Sequence, residues 1–218
     1  MNFTVDARHT VSGRLLRPAT SRACYVLAHG AGAGMDHPFM AAAASNLADL
    51  DVATLRFQFP YMERGSRRTD PPTLCHATVR AAIAEARRLM PGTPLFAGGR
   101  SFGGRMTSQA QALQPLPGIR GLVFLGFPLH PAGAASVSRA AHLSQVLLPM
   151  LFVQGTEDDL AEGELLEAVI TGLGPRATLR WIAGADHSFH VPARTGRRDA
   201  QVRVELIGAV ADWIQAHS

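Results

Sequence analysis

The sequence predicts an α/β fold in which helices flank a mostly parallel central sheet. Short apolar runs, each the length of one buried strand, recur along the 218 residues and alternate with segments of helical periodicity. This alternation is typical of βαβ units. Hydrophobic residues make up 47% of the chain and charged residues 17%, which leaves enough apolar side chains for a substantial core. No linker or internal repeat divides the chain, so we expect a single domain over residues 1–218.

In the first half of the chain, residues 10–17 alternate between apolar and polar side chains as a half-buried strand does. The buried strands predicted next are Ala23–Ala28, Val52–Phe57 and residues 94–97. Helical spacing is found in residues 38–50 and again at Val79, Ile83, Ala86 and Met90. Residues 58–72 are polar, arginine-rich and bounded by prolines, which predicts a loop.

In the second half, the predicted strands are Ile119–Leu125, residues 149–153 and Ala177–Ile182. The predicted helices are Phe102–Leu113, residues 164–170 and a C-terminal amphipathic segment that carries Val202, Leu206, Val210 and Trp213. Residues 126–148 are interrupted by prolines and glycine and have room for one small helix near residues 139–145. We therefore expect no large helical lid over the sheet.

The segment Gly99-Arg100-Ser101-Phe102-Gly103 follows a predicted strand and precedes a predicted helix. A G-x-S-x-G pattern in this context is typical of a sharp strand-to-helix turn that exposes the serine hydroxyl. Glycine is needed two residues on either side because a side chain there would collide with its surroundings. Ser101 is therefore the candidate nucleophile, and the alternative is a glycine-rich turn without chemistry.

A serine hydroxyl needs a base, and in this arrangement the acid and then the base follow the serine along the chain. His187 follows the last predicted strand and is the candidate base, with His190 as its nearby competitor. Asp158 follows the preceding strand and is the candidate acid, which would orient the imidazole and stabilise its charged form. Asp159 is the alternative acid, although its place before a predicted helix also suits an N-cap.

Residues 29–34 (HGAGAG) follow the strand Ala23–Ala28, and their small side chains let a substrate approach the backbone closely. An oxyanion hole needs two backbone donors, for which Ala31 and Phe102 are predicted, with Gly32 as the alternative to Ala31. A flexible glycine-rich turn is the structural alternative. A phosphate-binding loop is not favoured, because the Walker lysine and hydroxyl residue are absent.

With these motifs, the chain resembles the α/β-hydrolase superfamily and, more closely, the small dienelactone-hydrolase-like group that includes testis-expressed protein 30 and KANSL3-type hydrolase domains. The segments that carry the resemblance are AHGAGAGMD (28–36), RFQFPYME (56–63), GGRSFGGRM (98–106), FLGFPLHP (124–131) and GADHSF (184–189).

This resemblance implies a three-layer α/β-hydrolase fold and a Ser101–Asp158–His187 triad. It also implies that His130 and Arg105 lie near the active-site face. Members of the group often carry proline after the acid, where this chain has Asp159, which leaves the acid assignment open. Dienelactone hydrolases proper use a cysteine nucleophile where this chain has Ser101, so dienelactone hydrolysis itself is not expected.

The candidates for substrate binding are His130, Arg105 and Arg68, although a loop histidine is more often structural and a run of charges more often solvated. The net charge is +4, but the arginines are scattered and not interleaved with aromatic residues, so nucleic acid is not an expected partner. No apolar run is long enough for a bilayer and no signal peptide is recognisable, so we expect no membrane partner and a cytoplasmic location. The two cysteines form no metal-ligand pattern, and we expect neither a metal nor a cofactor.

These features predict a serine hydrolase that cleaves a small soluble ester or thioester through an acyl-enzyme on Ser101. The arginines near the site would attract an anionic group on that substrate. A peptidase or an acyltransferase would use the same triad. A catalytically silent domain could also keep the fold for binding or scaffolding.

Overall fold

The computed structural model describes all 218 residues and contains one eight-stranded sheet. The strands are β1 (Asn2–Thr4), β2 (Thr10–Leu16), β3 (Ala23–Ala28), β4 (Val52–Phe57), β5 (Leu95–Arg100), β6 (Ile119–Leu125), β7 (Met150–Gly155) and β8 (Ala177–Ile182). Their order across the sheet is β1-β2-β4-β3-β5-β6-β7-β8. Strands β3 to β8 are parallel, whereas β1 and β2 add an antiparallel edge. The parallel strands therefore all end at the same edge of the sheet, where loops can meet.

Helices cover both faces of the sheet. They are α1 (Pro38–Ala48), α2 (Pro60–Glu63), α3 (Pro72–Leu89), α4 (Phe102–Leu113), α5 (Gly163–Leu173) and α6 (Asp199–Ala216). Short 3₁₀ helices span Ser138–Gln145, Gly174–Arg176 and Ala193–Thr195. Helices α3, α4 and α5 share one buried apolar cluster, and α1 and α6 share the other. Helices on one face, the sheet and helices on the other face form the three layers predicted from the sequence.

Most elements agree with the sequence prediction, and the differences have local causes. Strand β1 was not predicted because only one of its three residues, Phe3, is buried. Strand β5 continues to Arg100 through two glycines, which have low strand propensity. A Cβ at Gly98 would lie 1.8 Å from the carbonyl oxygen of Val123, so only glycine lets β5 and β6 pair there. The loop predicted at residues 58–72 contains the single-turn helix α2.

The segment between β6 and β7 carries the 3₁₀ helix Ser138–Gln145 as its only helical element. No cap of packed helices is therefore inserted at this point, as the prolines and glycine of residues 126–148 predicted. Each helix of the structure is too short or too polar to cross a membrane.

Candidate active site

Ser101 lies on a sharp turn between the end of β5 and the start of α4, with φ 49° and ψ −116°. A positive φ is unfavourable for a residue with a side chain and persists only where the surroundings enforce it. The surroundings here are tight, because a Cβ at Gly99 would lie 2.2 Å from the Ala28 carbonyl oxygen and one at Gly103 would lie 2.5 Å from that of His29. The steric reason predicted for both glycines is confirmed.

A chain of hydrogen bonds runs from Ser101 through His187 to Asp158. The Oγ of Ser101 is 2.8 Å from Nε2 of His187, and Nδ1 of His187 is 2.7 Å from Oδ2 of Asp158. The Asp158 carboxylate can only accept, so Nδ1 carries the proton and the lone pair of Nε2 faces the serine hydroxyl. In this tautomer the imidazole can take the serine proton.

The buried carboxylate of Asp158 has three hydrogen-bond donors. Besides His187, the backbone N–H of Leu160 donates to Oδ1 at 2.8 Å, and the side-chain amide of Gln154 donates to Oδ2 at 2.5 Å. The side chain of Asp158 is fully inaccessible to solvent, which a carboxylate tolerates when it is well hydrogen-bonded. Asp158 is therefore placed to orient His187 and to balance the charge that develops on it.

Asp159, the alternative acid, and His190, the alternative base, both lie outside this series of hydrogen bonds. Asp159 is exposed, and the capping role predicted for it is wrong, because α5 begins at Gly163 and Glu162 is its N-cap residue. The ring of His190 pairs at 2.9 Å with the exposed Asp199, whose carboxylate raises the pKa of this histidine. His190 therefore belongs to a surface ion pair, and its Nδ1 is already bonded.

The loop after β3 lies against the candidate nucleophile, since a Cβ on Gly30 would be 4.0 Å from the Cβ of Ser101. The N–H groups of Ala31 and of the alternative donor Gly32 make no hydrogen bond within the protein. Phe102 is the first residue of α4, where an N–H has no acceptor in its own helix. Ala31 and Phe102 therefore offer free donors on the two segments next to Ser101.

Hydrogen bonds from two buried rings fix the position of this loop. Nδ1 of His29 is 2.7 Å from the Gly30 carbonyl oxygen, and its Nε2 accepts from the Phe59 N–H at 3.0 Å. Burial lowers the pKa of His29 to about 4, so the ring is neutral at pH 7. The hydroxyl of Tyr61, a fully buried residue, donates to the Ala31 carbonyl oxygen at 3.0 Å.

The three candidates for substrate binding have different environments. His130 is only 1% exposed, with Nδ1 2.9 Å from the Pro131 carbonyl oxygen and Nε2 accepting from the Glu162 N–H at 3.4 Å. Its ring joins two loops, which supports the structural role given as the alternative, and substrate contact by His130 stays a prediction. Arg68 is exposed and lines a surface depression that contains no residue of the candidate triad.

Arg105 is the candidate that the structure brings next to the serine turn. Its guanidinium lies over the Phe102 ring, 5.8 Å from the ring centroid. Burial and the neighbouring guanidinium of Arg139 lower the pKa of Arg105. The Nε of Arg105 is buried without a hydrogen-bond partner. The side chain is thus a cation without a fixed counter-ion on helix α4, which begins directly after Ser101.

Sequence reasoning missed the supporting residues Gln154, Tyr61 and Arg139. Gln154 carries a recognisable signal, because a polar side chain inside the apolar run of β7 must find a partner when buried. Tyr61 and Arg139 carry no such signal, since each lies in a segment of mixed polarity. Only the folded chain shows which loops these two residues reach.

The sheet order and the serine turn define the α/β-hydrolase class, with a serine-hydrolase-like fold. The chain belongs to the family described as alpha/beta hydrolase domain, whose family model matches residues 21–215. The superfamily resemblance seen in the sequence is thereby confirmed, and hydrolysis is the chemistry of this class.

Several solved structures share the fold. An alpha-beta serine hydrolase homologue from Coxiella burnetii is 20% identical, with a TM-score of 0.76 over 96% of each chain. Dienelactone hydrolase from Anabaena variabilis is 18% identical, with a TM-score of 0.78 over 100% of this chain and 96% of that one. A serine hydrolase without a lid from Xanthomonas campestris is 21% identical, with a TM-score of 0.76 over 98% and 93%. At these identities the likeness establishes the fold and leaves the substrate to be inferred from the site.

Proposed function

We propose that this protein is a serine hydrolase that cleaves a small ester or thioester through an acyl-enzyme on Ser101. The observation that carries the proposal is the hydrogen-bonded series Ser101–His187–Asp158, with distances of 2.8 and 2.7 Å, at the carboxyl edge of the parallel strands. In such a series the base, its orienting acid and the nucleophile are all within bonding distance before substrate arrives.

The proposed reaction has two halves. His187 Nε2 takes the proton of the Ser101 hydroxyl as Oγ attacks the carbonyl carbon, and Asp158 stabilises the imidazolium. The N–H groups of Phe102 and Ala31 donate to the oxyanion of the tetrahedral intermediate. That intermediate collapses, and the leaving alcohol or thiol takes the proton from His187. Water then attacks the acyl-enzyme by the same route, and the carboxylic acid leaves with Ser101 restored.

The proposed substrate is small because little covers the site. Only a 3₁₀ helix lies between β6 and β7, so there is no apolar cap to bury a long acyl chain. The kcat/KM for 4-nitrophenyl esters should therefore be higher for acetyl and butyryl than for octanoyl and palmitoyl groups. A maximum at octanoyl or longer, or activation on forming an emulsion, would contradict the small-substrate proposal.

The proposed substrate also carries negative charge. The charge of Arg139 lowers the pKa of Arg105, and no carboxylate is among the groups that raise it. Two neighbouring guanidiniums repel each other unless an anion lies between or beside them. A carboxylate or phosphate on the substrate would supply that anion next to Phe102.

We further propose that residues 1–218 act as one domain in the cytoplasm without a cofactor, and that the protein is of the dienelactone-hydrolase-like, testis-expressed protein 30 and KANSL3 type. The sequence segments at residues 28–36, 98–106 and 184–189 support this narrower placement, because they contribute the oxyanion loop, the serine turn and the histidine turn of the proposed mechanism. Metal-independent turnover in the presence of EDTA is the corresponding expectation.

Covalent labelling by a fluorophosphonate probe tests the central proposal. The native protein should label, and Ser101→Ala should not, because the probe reacts with an activated serine. Ser188→Ala is the matched control, since Ser188 is an exposed serine directly after His187. Labelling that survives Ser101→Ala would contradict Ser101 as the nucleophile. A folded native protein that does not label would contradict the proposed function and favour a silent binding domain.

A further inference from the structure

Gln154 is a fully buried polar residue near the end of β7, and the mechanism proposed above gives it no role. Its amide oxygen accepts from the Phe127 N–H at 2.8 Å, and its amide nitrogen donates to Asp158 Oδ2 at 2.5 Å. A backbone N–H can only donate, so the bond to Phe127 fixes which end of the amide faces Asp158. The NH₂ group must therefore point at the carboxylate.

The oxygen that Gln154 contacts is the same one that accepts from His187. Oδ2 of Asp158 receives both the Gln154 amide and Nδ1 of His187, while Oδ1 receives the Leu160 N–H. Two donors on one oxygen and one on the other fix the plane of the carboxylate. If the amide were removed, the carboxylate would lose one of its two side-chain donors and the restraint on its rotation.

The other end of Gln154 reaches the segment beneath the imidazole. Phe127 follows Gly126, which has φ 69° and lies so close to the ring that a Cβ there would be 3.4 Å from Cε1 of His187. The Gly126 N–H also donates to the Val153 carbonyl oxygen, next to Gln154 in the chain. One amide thus joins the segment that carries the acid to the segment that lies against the base.

We propose that Gln154 is a positioning residue for hydrolysis, which orients the Asp158 carboxylate and the adjoining segment so that His187 faces Ser101. The inference rests on the proposed function, because it requires Asp158 and His187 to act as acid and base. Gln154 itself touches neither the substrate nor the reacting atoms.

Gln154→Met tests the inference, since methionine keeps the length and apolar bulk of the side chain and removes the three hydrogen bonds of the amide. With 4-nitrophenyl acetate, kcat should fall roughly 10- to 100-fold, the loss common when the partner that orients a reactive group is removed. KM should stay within about twofold, because binding in the ground state is not altered.

Gln111→Met is the matched control. Gln111 is also buried, and its amide oxygen accepts from the Leu116 N–H at 2.8 Å. It lies ten residues along α4 from Ser101, or about 15 Å. This variant should lose stability in urea as Gln154→Met does, while its kcat stays within about twofold of native. Equal losses of kcat in both variants would overturn the inference.

A double-mutant cycle separates positioning from general support of the fold. If Gln154 acts through Asp158, then adding Gln154→Met to the Asp158→Asn variant should lower kcat by less than about threefold. The same loss in both backgrounds would overturn the inference. If Gln154→Met does not fold, Gln154→Asn replaces it, because an amide shortened by one methylene cannot reach both Phe127 and Asp158.

Failure of this inference differs from failure of the proposed function. Turnover that depends on Ser101 but survives Gln154→Met at native kcat overturns only the role of Gln154. Turnover that survives Ser101→Ala overturns both proposals.

Discussion

On the β7–β8 side of the candidate active site, hydrogen bonds join side chains to one another. On the β3–β4 side, hydrogen bonds from buried rings fix the main chain. Asp158 accepts hydrogen bonds from His187 at 2.7 Å and from the side-chain amide of Gln154 at 2.5 Å. The loop that carries Ala31 is instead held through carbonyl oxygens, by the Tyr61 hydroxyl and by the His29 ring. The proposed acid–base side holds a buried carboxylate, whereas the proposed oxyanion side holds neutral N–H groups in position.

The difference follows from electrostatics. A carboxylate removed from water needs several donors within bonding distance, and side chains can supply them at the required angles. A backbone N–H already has its direction set by the peptide plane, so it is aimed by fixing the loop. We therefore expect substitutions on the acid–base side to change activity most, and those on the oxyanion side to change it less.

The largest effect is expected at the acid. Asp158→Asn keeps the shape of the side chain but removes the charge and disturbs the tautomer of His187, so kcat should fall about 10³- to 10⁴-fold. Asp159→Asn is the matched control, because Asp159 is the adjacent, exposed aspartate. Its kcat/KM for 4-nitrophenyl acetate should stay near native. The reverse result would show that the acid is Asp159.

The buried ring of His29 predicts a loss of stability in acid. Its pKa is about 4 in the folded protein against an ordinary 6.5, so between these values the unfolded chain binds a proton that the folded chain does not. The contribution of neutral His29 to the free energy of unfolding is fully present above pH 6.5. It is lost as the pH falls towards 4, by up to about 3 kcal/mol.

Urea unfolding of the native protein at pH 7, 5.5 and 4 measures this loss, and His29→Gln should show a smaller one. The control is His190→Gln, where the sign is opposite. Asp199 raises the pKa of His190, so that pair stabilises the fold below the ordinary histidine pKa and the contribution is lost as the pH rises. An acid loss that His29→Gln leaves unchanged would place its origin in other groups.

A smaller effect on activity is expected at the oxyanion side. Tyr61→Phe removes the bond to the Ala31 carbonyl oxygen, and kcat should fall roughly tenfold, less than the loss of a whole oxyanion donor. Tyr25→Phe is the matched control, because the buried Tyr25 hydroxyl donates at 2.9 Å to the carbonyl oxygen of Val123 within the sheet. Each variant should lose about 1 kcal/mol of stability. Equal kcat values would show that Tyr61 has no part in aiming the loop.

The smallest effect is expected at the arginines. Arg105→Gln should lower the preference for the succinic acid monoester of 4-nitrophenol over the neutral butyryl ester by roughly three- to tenfold, since partly exposed charges interact weakly. Arg120→Gln removes the same charge at the exposed start of β6 and should leave that preference unchanged. Added salt should reduce the preference of the native protein. A native protein that favours the neutral ester would contradict the anionic-substrate proposal.

The α/β class could be predicted from the sequence alone, because buried parallel strands appear as continuous apolar runs that helices separate. The order of nucleophile, acid and base along successive strands predicted Ser101, Asp158 and His187 as candidates, and the structure joins these three side chains by hydrogen bonds. The sequence did not reveal β1, whose single buried residue leaves no pattern, or α2, which is only one turn long.

The side chains that support these groups can be recognised only in the folded protein. Asp158 and Asp159 are neighbours of the same type in the sequence, and burial with three donors distinguishes them only after folding. His130 has a motif that suggests substrate contact, yet the folded loops enclose its ring. The bond of Gln154 to Phe127 spans 27 residues and that of Tyr61 to Ala31 spans 30. Local periodicity reports the face on which a side chain lies, whereas hydrogen bonds between distant loops depend on how the whole sheet brings those loops together.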